Sequence, residues 1–377
     1  VSSKVTMQQI AERLGLSKFA VSKALSGKSG VSADTRAKII ETATQLGYFA
    51  QNRTSRARGR SAAGGERKGE TVVVLIPNVR YQTRGSRYWG KIIDGIDFAL
   101  EKRKLGMMLA TEQGEGSLAR LINPEGVLGL IGVGLISGQQ LLEVRSLRIP
   151  FVLVDHEDPL VPADALFANN GEGMRRIVDY LIGEGHLRLQ FVGNIRYSRS
   201  FGERWLGFRS ALEEREIGGF QEPELLALAG ENRSELTEAL EPILRRMLGE
   251  GTLPTALVCA NDSLAICAMT ALMKLGASVP ADCSVTGFDN IEDAALARPP
   301  LTTVHVDKEG LGRRAVEALL RRIERPGEPR ERILLTGDVV LRQSATARTG
   351  RNRAGAFSIT DDNKNKCIAF YPLPFSL

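Results

Sequence analysis

Lys18, Phe19, Ser22 and Lys23 place two ammonium groups, an aromatic ring and a hydroxyl within six residues, at spacings that share one side of a helix. Ammonium groups pair with phosphates, hydroxyls meet base edges, and an aromatic ring can pack on a thymine methyl. The flanking residues are suited to positioning that face. Thr6-Met7-Gln8-Gln9 has the form of a capping box, so Thr6 starts a helix that buries Ile10, Ala11 and Leu14. Gly15 permits a sharp exit, and Leu16 returns to the small core. Ser17 caps a second helix with Val21, Ala24 and Leu25 inward. A third helix opens at Ser32, carries Asp34 in its first turn, buries Ile39, Ala43 and Leu46, and stops at Gly47. A helical hairpin that merely packs on another domain is the duller alternative. Caps, turn and surface charge agree on a helix-turn-helix shaped for the major groove.

Charge is distributed accordingly. Residues 1–70 hold thirteen Lys/Arg against five Asp/Glu, a net of +8, while the whole chain is +6, so the remainder is slightly acidic. A basic head on a near-neutral body points to nucleic acid rather than to a generally adhesive surface. Residues 50–70 have no hydrophobic period and are rich in Arg, Gly, Ser and Ala. They read either as a plain linker or as an arm in which Asn52, Arg53 and Arg56 order along DNA.

The body must be found in the rest of the 377 residues, a length that predicts a small head on a two-lobed remainder. Apolar runs at 71–76, 107–110, 126–133, 151–154, 189–193, 255–260 and 283–288 alternate with amphipathic stretches at 88–103, 137–146, 171–184, 203–216, 233–248 and 263–275. Short strands buried on both faces between helices predict parallel α/β layers, here two Rossmann-like lobes with a ligand cleft at the strand ends. The expected organisation is a head at 1–49, a hinge at 50–70 and a body at 71–345. The first lobe would take about 71–167 and 301–328, the second about 168–300 and 329–345. Residues 346–377 carry neither periodicity nor a leucine heptad and read as a poorly ordered tail.

Other chemistries find little support. Gly132-Val133-Gly134 approaches a dinucleotide fingerprint but lacks its third glycine, and Gly27-Lys28-Ser29 lacks the leading glycine of a phosphate loop. His156, His186 and His305 are too scattered for a metal site or a triad, so neither cofactor nor catalytic constellation is expected. Cys259, Cys267, Cys283 and Cys367 form no C-x-x-C pair. With no signal-peptide core or membrane-length apolar run, they suggest buried thiols in the cytoplasm.

The head segment 5–48 (VTMQQIAERLGLSKFAVSKALSGKSGVSADTRAKIIETATQLGY) stands before a series of body motifs: YWGKIIDGI (88–96), VLVD (152–155), GERWLGF (202–208), ALVCANDSLA (256–265), VPADCSVTGFDN (279–290) and PPLTTVHVD (299–307). In that order they resemble the lactose-repressor (LacI/GalR) family of bacterial transcription factors over about residues 4–345. The resemblance implies a homodimer on a near-palindromic operator, with a periplasmic-binding-protein-like body closing on a small effector, a sugar or a nucleoside. It places Lys18, Phe19 and Lys23 in the major groove. Arginine is usual at position 23, and lysine loses the bidentate grip on guanine. Where the family's hinge usually carries a wedging leucine, Ala57 or Arg58 stands here, so arginine contacts would replace intercalation.

Four body residues match the family's effector shell: Asp155, Arg204, Asn261 and Asp289, with Tyr88 and Trp89 where an aromatic stack is supplied. Two carboxylates, a guanidinium and an amide suit a polyol. Each has a plainer reading. Asn261 or Asp262 would cap a helix, Asp289 would hold a turn, and Tyr88 with Trp89 would be core.

Overall fold

The structure, a computed structural model, describes residues 7–17, 21, 35, 39, 42, 70–77, 85–111, 122–230 and 232–348. Contacts divide the chain into two compact units, 1–68 and 69–377.

In the first unit, helix α1 runs Met7–Leu14. Gly15, at φ 65°, ends it in the left-handed conformation that glycine adopts freely, and the Leu16 amide donates to the Ala11 carbonyl at 2.9 Å. Ala11, Val21 and Ile39 are buried. They come one from each of the three expected helical segments. Thr6, Lys18, Phe19, Ser22, Lys23, Ser32, Asn52, Arg53 and Arg56 lie outside the described residues. Ser17 lies within them, exposed, its carbonyl accepting from the Val21 amide.

The second unit holds two sheets. The first contains β1 (Thr71–Leu75), β2 (Gly106–Ala110), β3 (Val127–Val133), β4 (Phe151–Val154), β5 (Asp164–Ala168) and β10 (Arg332–Leu335), in the order β10-β5-β4-β3-β1-β2, all parallel. Helices α2 (Trp89–Glu101), α3 (Gly138–Ser146) and α9 (Lys308–Glu324) belong to this lobe. The second sheet contains β6 (Leu189–Val192), β7 (Ala256–Cys259), β8 (Ser284–Asp289), β9 (Thr302–His305) and β11 (Val339–Val340), in the order β11-β9-β8-β7-β6. It is parallel except at β11. Its helices are α4 (Asn170–Gly183), α5 (Arg199–Glu213), α6 (Arg233–Gly249), α7 (Asp262–Lys274) and α8 (Glu292–Leu296).

The apolar runs become strands because parallel strands covered by helices on both faces must bury every side chain, as β5, β7 and β8 do throughout. The helices lie close. A Cβ on Gly95 would stand 2.2 Å from the Glu309 carbonyl oxygen, and one on Gly312 2.2 Å from that of Ile92, so α2 and α9 meet backbone to backbone. Among the described residues no helix is long and apolar enough to cross a membrane.

The chain crosses between lobes three times: after β5, between β9 and α9, and between β10 and β11. Here the expected lobe edges are corrected. Residues 302–305 pair with β8 in the second lobe rather than the first, and 332–335 pair with β5 in the first rather than the second. The strand pairings that decide this join residues more than a hundred positions apart for β10, which no local pattern encodes. Residues 346–348 lie against the second lobe, where the Arg348 amide donates to the Glu184 carbonyl at 2.9 Å and His186 bonds the Thr346 carbonyl at 2.9 Å. Residues 349–377 of the expected tail lie outside the described residues. Cys259, Cys267 and Cys283 are buried and free.

Candidate effector-binding cleft

Strand ends deliver the charged groups. Asp155 follows β4 at φ 54° and Asp289 ends β8 at φ 102°, with Asn290 next at 49°. Aspartate and asparagine tolerate positive φ better than other side-chain-bearing residues, yet such conformations cost roughly 1–3 kcal/mol each and persist where the surroundings impose them. Both carboxylates thereby leave the strand direction and line one cavity of about 760 Å³ between the sheets. Tyr88, Trp89, Arg204 and Asn261 line it too, so all six residues singled out in the sequence share this cavity.

Helix α5 supplies the centre. Ser198 caps it, its hydroxyl accepting from the Phe201 amide at 3.2 Å. This sets Ser200 and Arg204 one turn apart on the same face. Arg204 is 3% exposed. Its Nε donates to Asn170 Oδ1 at 2.9 Å, Nη1 to the Ala260 carbonyl at 2.7 Å, and Nη2 to Asp289 Oδ1 at 2.9 Å. Its guanidinium carbon stands 3.8 Å from the Phe288 ring centroid. A guanidinium has five donors, so two remain for a ligand. Arg204 is thus a brace of the second lobe as well as a candidate ligand donor.

Asp155 faces Ser200, whose hydroxyl donates to Oδ1 at 2.5 Å. Burial raises the Asp155 carboxyl from 3.8 to about 6, against the pull of the Ser200 bond and of Arg204. Burial likewise raises Asp289, with Arg204 and Lys308 opposing. It also lifts Tyr88 well above the usual phenol value, helped by the charges of Asp155 and Asp289. The three groups therefore form one electrostatic cluster.

The plainer readings are partly realised. Asn261 caps α7, its side-chain oxygen accepting from the Leu264 amide at 2.9 Å, and the residue lines the cavity as well. Tyr88 and Trp89 meet edge to face at 4.9 Å and pack against the core while lining the cavity.

Residues outside the expected effector shell complete the frame. Asp262 is buried, accepts from the Thr303 hydroxyl at 2.5 Å and the Ile291 amide at 2.8 Å, and is raised to about 7, chiefly by burial and then by the charge of Asp289. Lys308 begins α9 at a lobe crossing. Its Nζ donates to the carbonyls of Asp289, Val306 and Asn290 at 2.6, 3.1 and 3.3 Å. Ser200 was findable from the Ser198 cap and the four-residue step to Arg204. Lys308 and Asn170 carry no such local signal.

At the mouth, Arg87 reaches across from the first lobe, with Nη1 2.7 Å from Glu292 and Nε 2.9 Å from Asp293. Arg233 holds the other oxygen of Asp293 at 2.6 Å. Arg199 pairs with Glu157 on another side of the cavity. The described residues include no group of acidic, histidine or cysteine side chains arranged to hold a metal ion.

Comparison with known proteins matches residues 6–51 to a family described as bacterial regulatory proteins, lacI family, and residues 178–345 to a periplasmic binding protein-like domain. The chain is 28% identical to the ribose operon repressor of Haemophilus influenzae over 348 residues, covering 90% of this chain and 98% of that protein. It is 29% identical to the transcriptional regulator MalR of Streptomyces coelicolor over 354 residues, covering 91% and 97%. Among solved structures, a complex of the transcriptional regulator CelR with cellobiose superposes with a TM-score of 0.64 at 23% identity, covering 90% of this chain and all of that one. A Lac repressor dimer bound to operator and an anti-inducer superposes with a TM-score of 0.62 at 24% identity, covering 92% and 100%.

Proposed function

The chain belongs to the LacI/GalR family of transcriptional regulators, and on that premise we propose that it represses transcription, its hold on DNA set by a sugar-like effector bound between the lobes. The observation that carries the effector reading is the convergence of Asp155, Arg204, Asn261 and Asp289, from four separate segments, on one cavity with Tyr88 and Trp89. Hydroxyl groups donate to the carboxylates, the two spare Arg204 donors meet oxygens, and an aromatic face covers a ring.

Because Asp155 stands on the first lobe and Arg204, Asn261 and Asp289 on the second, a ligand bridging them favours one lobe angle. Through linkage it then favours one disposition of the heads. In this reading the basic head at 1–49 and the arm at 50–70 hold DNA through Thr6, Ser17, Lys18, Phe19, Ser22, Lys23, Ser32, Asn52, Arg53 and Arg56. A homodimer presents two heads to a near-palindromic operator. DNA sets the workplace, the cytoplasm.

Mobility shift with genomic fragments, repeated across a panel of sugars and nucleosides, tests the reading. It expects sequence-selective complexes whose stability changes with one ligand. Binding that is equal on all fragments, or selective binding indifferent to every sugar, overturns it.

A further inference from the structure

Asp289 and Asn290 follow one another at φ 102° and 49°. Two adjacent side-chain-bearing residues at positive φ persist only where their surroundings impose it, and such strain gathers at ligand clamps and switches. This turn is held from several directions. Arg342 Nη2 donates to Asn290 Oδ1 at 2.8 Å, Asn290 Nδ2 lies 3.1 Å from His305 Nδ1, and the Ile291 amide donates to Asp262 Oδ2 at 2.8 Å. Arg342 follows β11, His305 ends β9 and Asp262 opens α7, so these three holds come from the second lobe, as the turn itself does.

Lys308 differs. It opens α9, which packs on β3, β4, β5 and α2 of the first lobe. Four residues on, a Cβ at Gly312 would stand 2.2 Å from the Ile92 carbonyl oxygen, so α9 is fixed to α2 close to its start. The root of the Lys308 side chain therefore belongs to the first lobe, while its ammonium reaches the Asp289 and Asn290 carbonyls of the second at 2.6 and 3.3 Å. With the Val306 carbonyl at 3.1 Å, all three of its donors are used. The placement is unfavourable for the helix. Lys308 is 5% exposed, a buried cation gives up its water shell, and the first turn of a helix disfavours positive charge. Nor does α9 need it as a cap, since Asp307 Oδ1 accepts from the Gly310 amide at 2.7 Å.

We propose that Lys308 is a positioning residue for the effector response: it ties the turn that aims Asp289 to the first lobe, so that a ligand held by the Asp289 carboxylate and the angle between the lobes act through one joint. Asp289 and Ile291 line the cavity and Lys308 does not, so it works through the turn. The inference rests on the effector reading above.

The test uses the full chain, with glucose, galactose, ribose, cellobiose, adenosine and guanosine as probes. Thermal shift selects the compound that stabilises the parent, and calorimetric titration gives its Kd. Lys308→Met, which loses all three donors, is expected to bind that compound at least about tenfold more weakly. It should also lose most of the compound's effect on the complex with the genomic fragment that the parent retains. A mutant cycle separates positioning from general damage. In the Lys308→Met background Asp289→Asn should cost little further affinity, while Asn261→Asp should cost as much as in the parent. Lys308→Gln, neutral and too short to reach all three carbonyls, should show the same loss and stands in should Lys308→Met fold poorly. Parent-like binding and response in the lysine variants, or a loss that simply adds to that of Asp289→Asn, overturns the joint and leaves the effector reading standing. A parent stabilised by no compound in the panel overturns both.

Discussion

The hydroxyl of Ser200 donates to the Oδ1 of Asp155 across the cleft at 2.5 Å, so the first lobe and the second already share a hydrogen bond where a ligand would lie. A ligand hydroxyl must join or replace this bond. On the proposed reading, ligand binding and the contact between the lobes meet at one carboxylate.

That carboxylate should make the stability of the fold depend on pH. Burial raises Asp155 from 3.8 to about 6, so the folded state binds the proton more tightly than the unfolded chain. Its contribution to stability is present below pH 3.8 and is lost as pH rises through 6. Asp155→Asn should flatten the stability profile between those limits. Ser200→Ala, which removes a bond favouring the charged form, should move the transition to higher pH. Melting curves from pH 4 to 8 would show it, and an unchanged profile in Asp155→Asn would place the titration elsewhere.

Arg204 should be costly to remove even without ligand. Arg204→Ala leaves Asp289 buried without its cation, a loss of about 3–5 kcal/mol for a broken buried pair. Asp289→Asn added to it should recover part of that loss. Denaturant unfolding of the two variants measures the difference. Both should lose the ligand response.

Asn261 has two roles that substitution can separate. Asn261→Ala loses the cap of α7 and about 1 kcal/mol of stability. Asn261→Asp keeps the cap but has no amide to donate, so it should melt near the parent while binding ligand more weakly. Equal ligand affinity in Asn261→Asp would confine the residue to capping.

Arg87 should govern exchange rather than stability. Arg87 is 51% and Glu292 64% exposed, while Asp293, 18% exposed, keeps a second cation in Arg233. Exposed pairs of this kind contribute about 1 kcal/mol or less. Arg87→Ala should therefore leave Tm nearly unchanged and speed ligand release, with high salt mimicking the variant in the parent protein. Stopped-flow release rates unaffected by either would remove Arg87 from the gate.

In the head, Lys23→Ala should weaken a specific operator more than random DNA, while the salt slope falls by about one counterion only if Lys23 also touches phosphate. Equal loss on both DNAs would make it a phosphate contact alone.

The sequence by itself determined what is local. Helix α1 and its Gly15 exit follow from a cap and a turn residue, and seven strands of the body follow from apolar runs. The family order of motifs led to Tyr88, Trp89, Asp155, Arg204, Asn261 and Asp289, which share one cavity. The strands at 164–168, 302–305, 332–335 and 339–340 did not stand out as runs, since the last two are short and only half-buried, with edge partners that supply their hydrogen bonds. Only the tertiary structure decided which lobe each of them joins, because strand pairing is a choice between distant partners. The same holds for the site's frame. That Arg204 spends three donors on Asn170, Ala260 and Asp289, and that Lys308 secures a lobe crossing through three carbonyls, depends on groups up to 85 residues apart in the chain. A residue's type states which bonds it can make, and only the packing of distant segments determines which it does make.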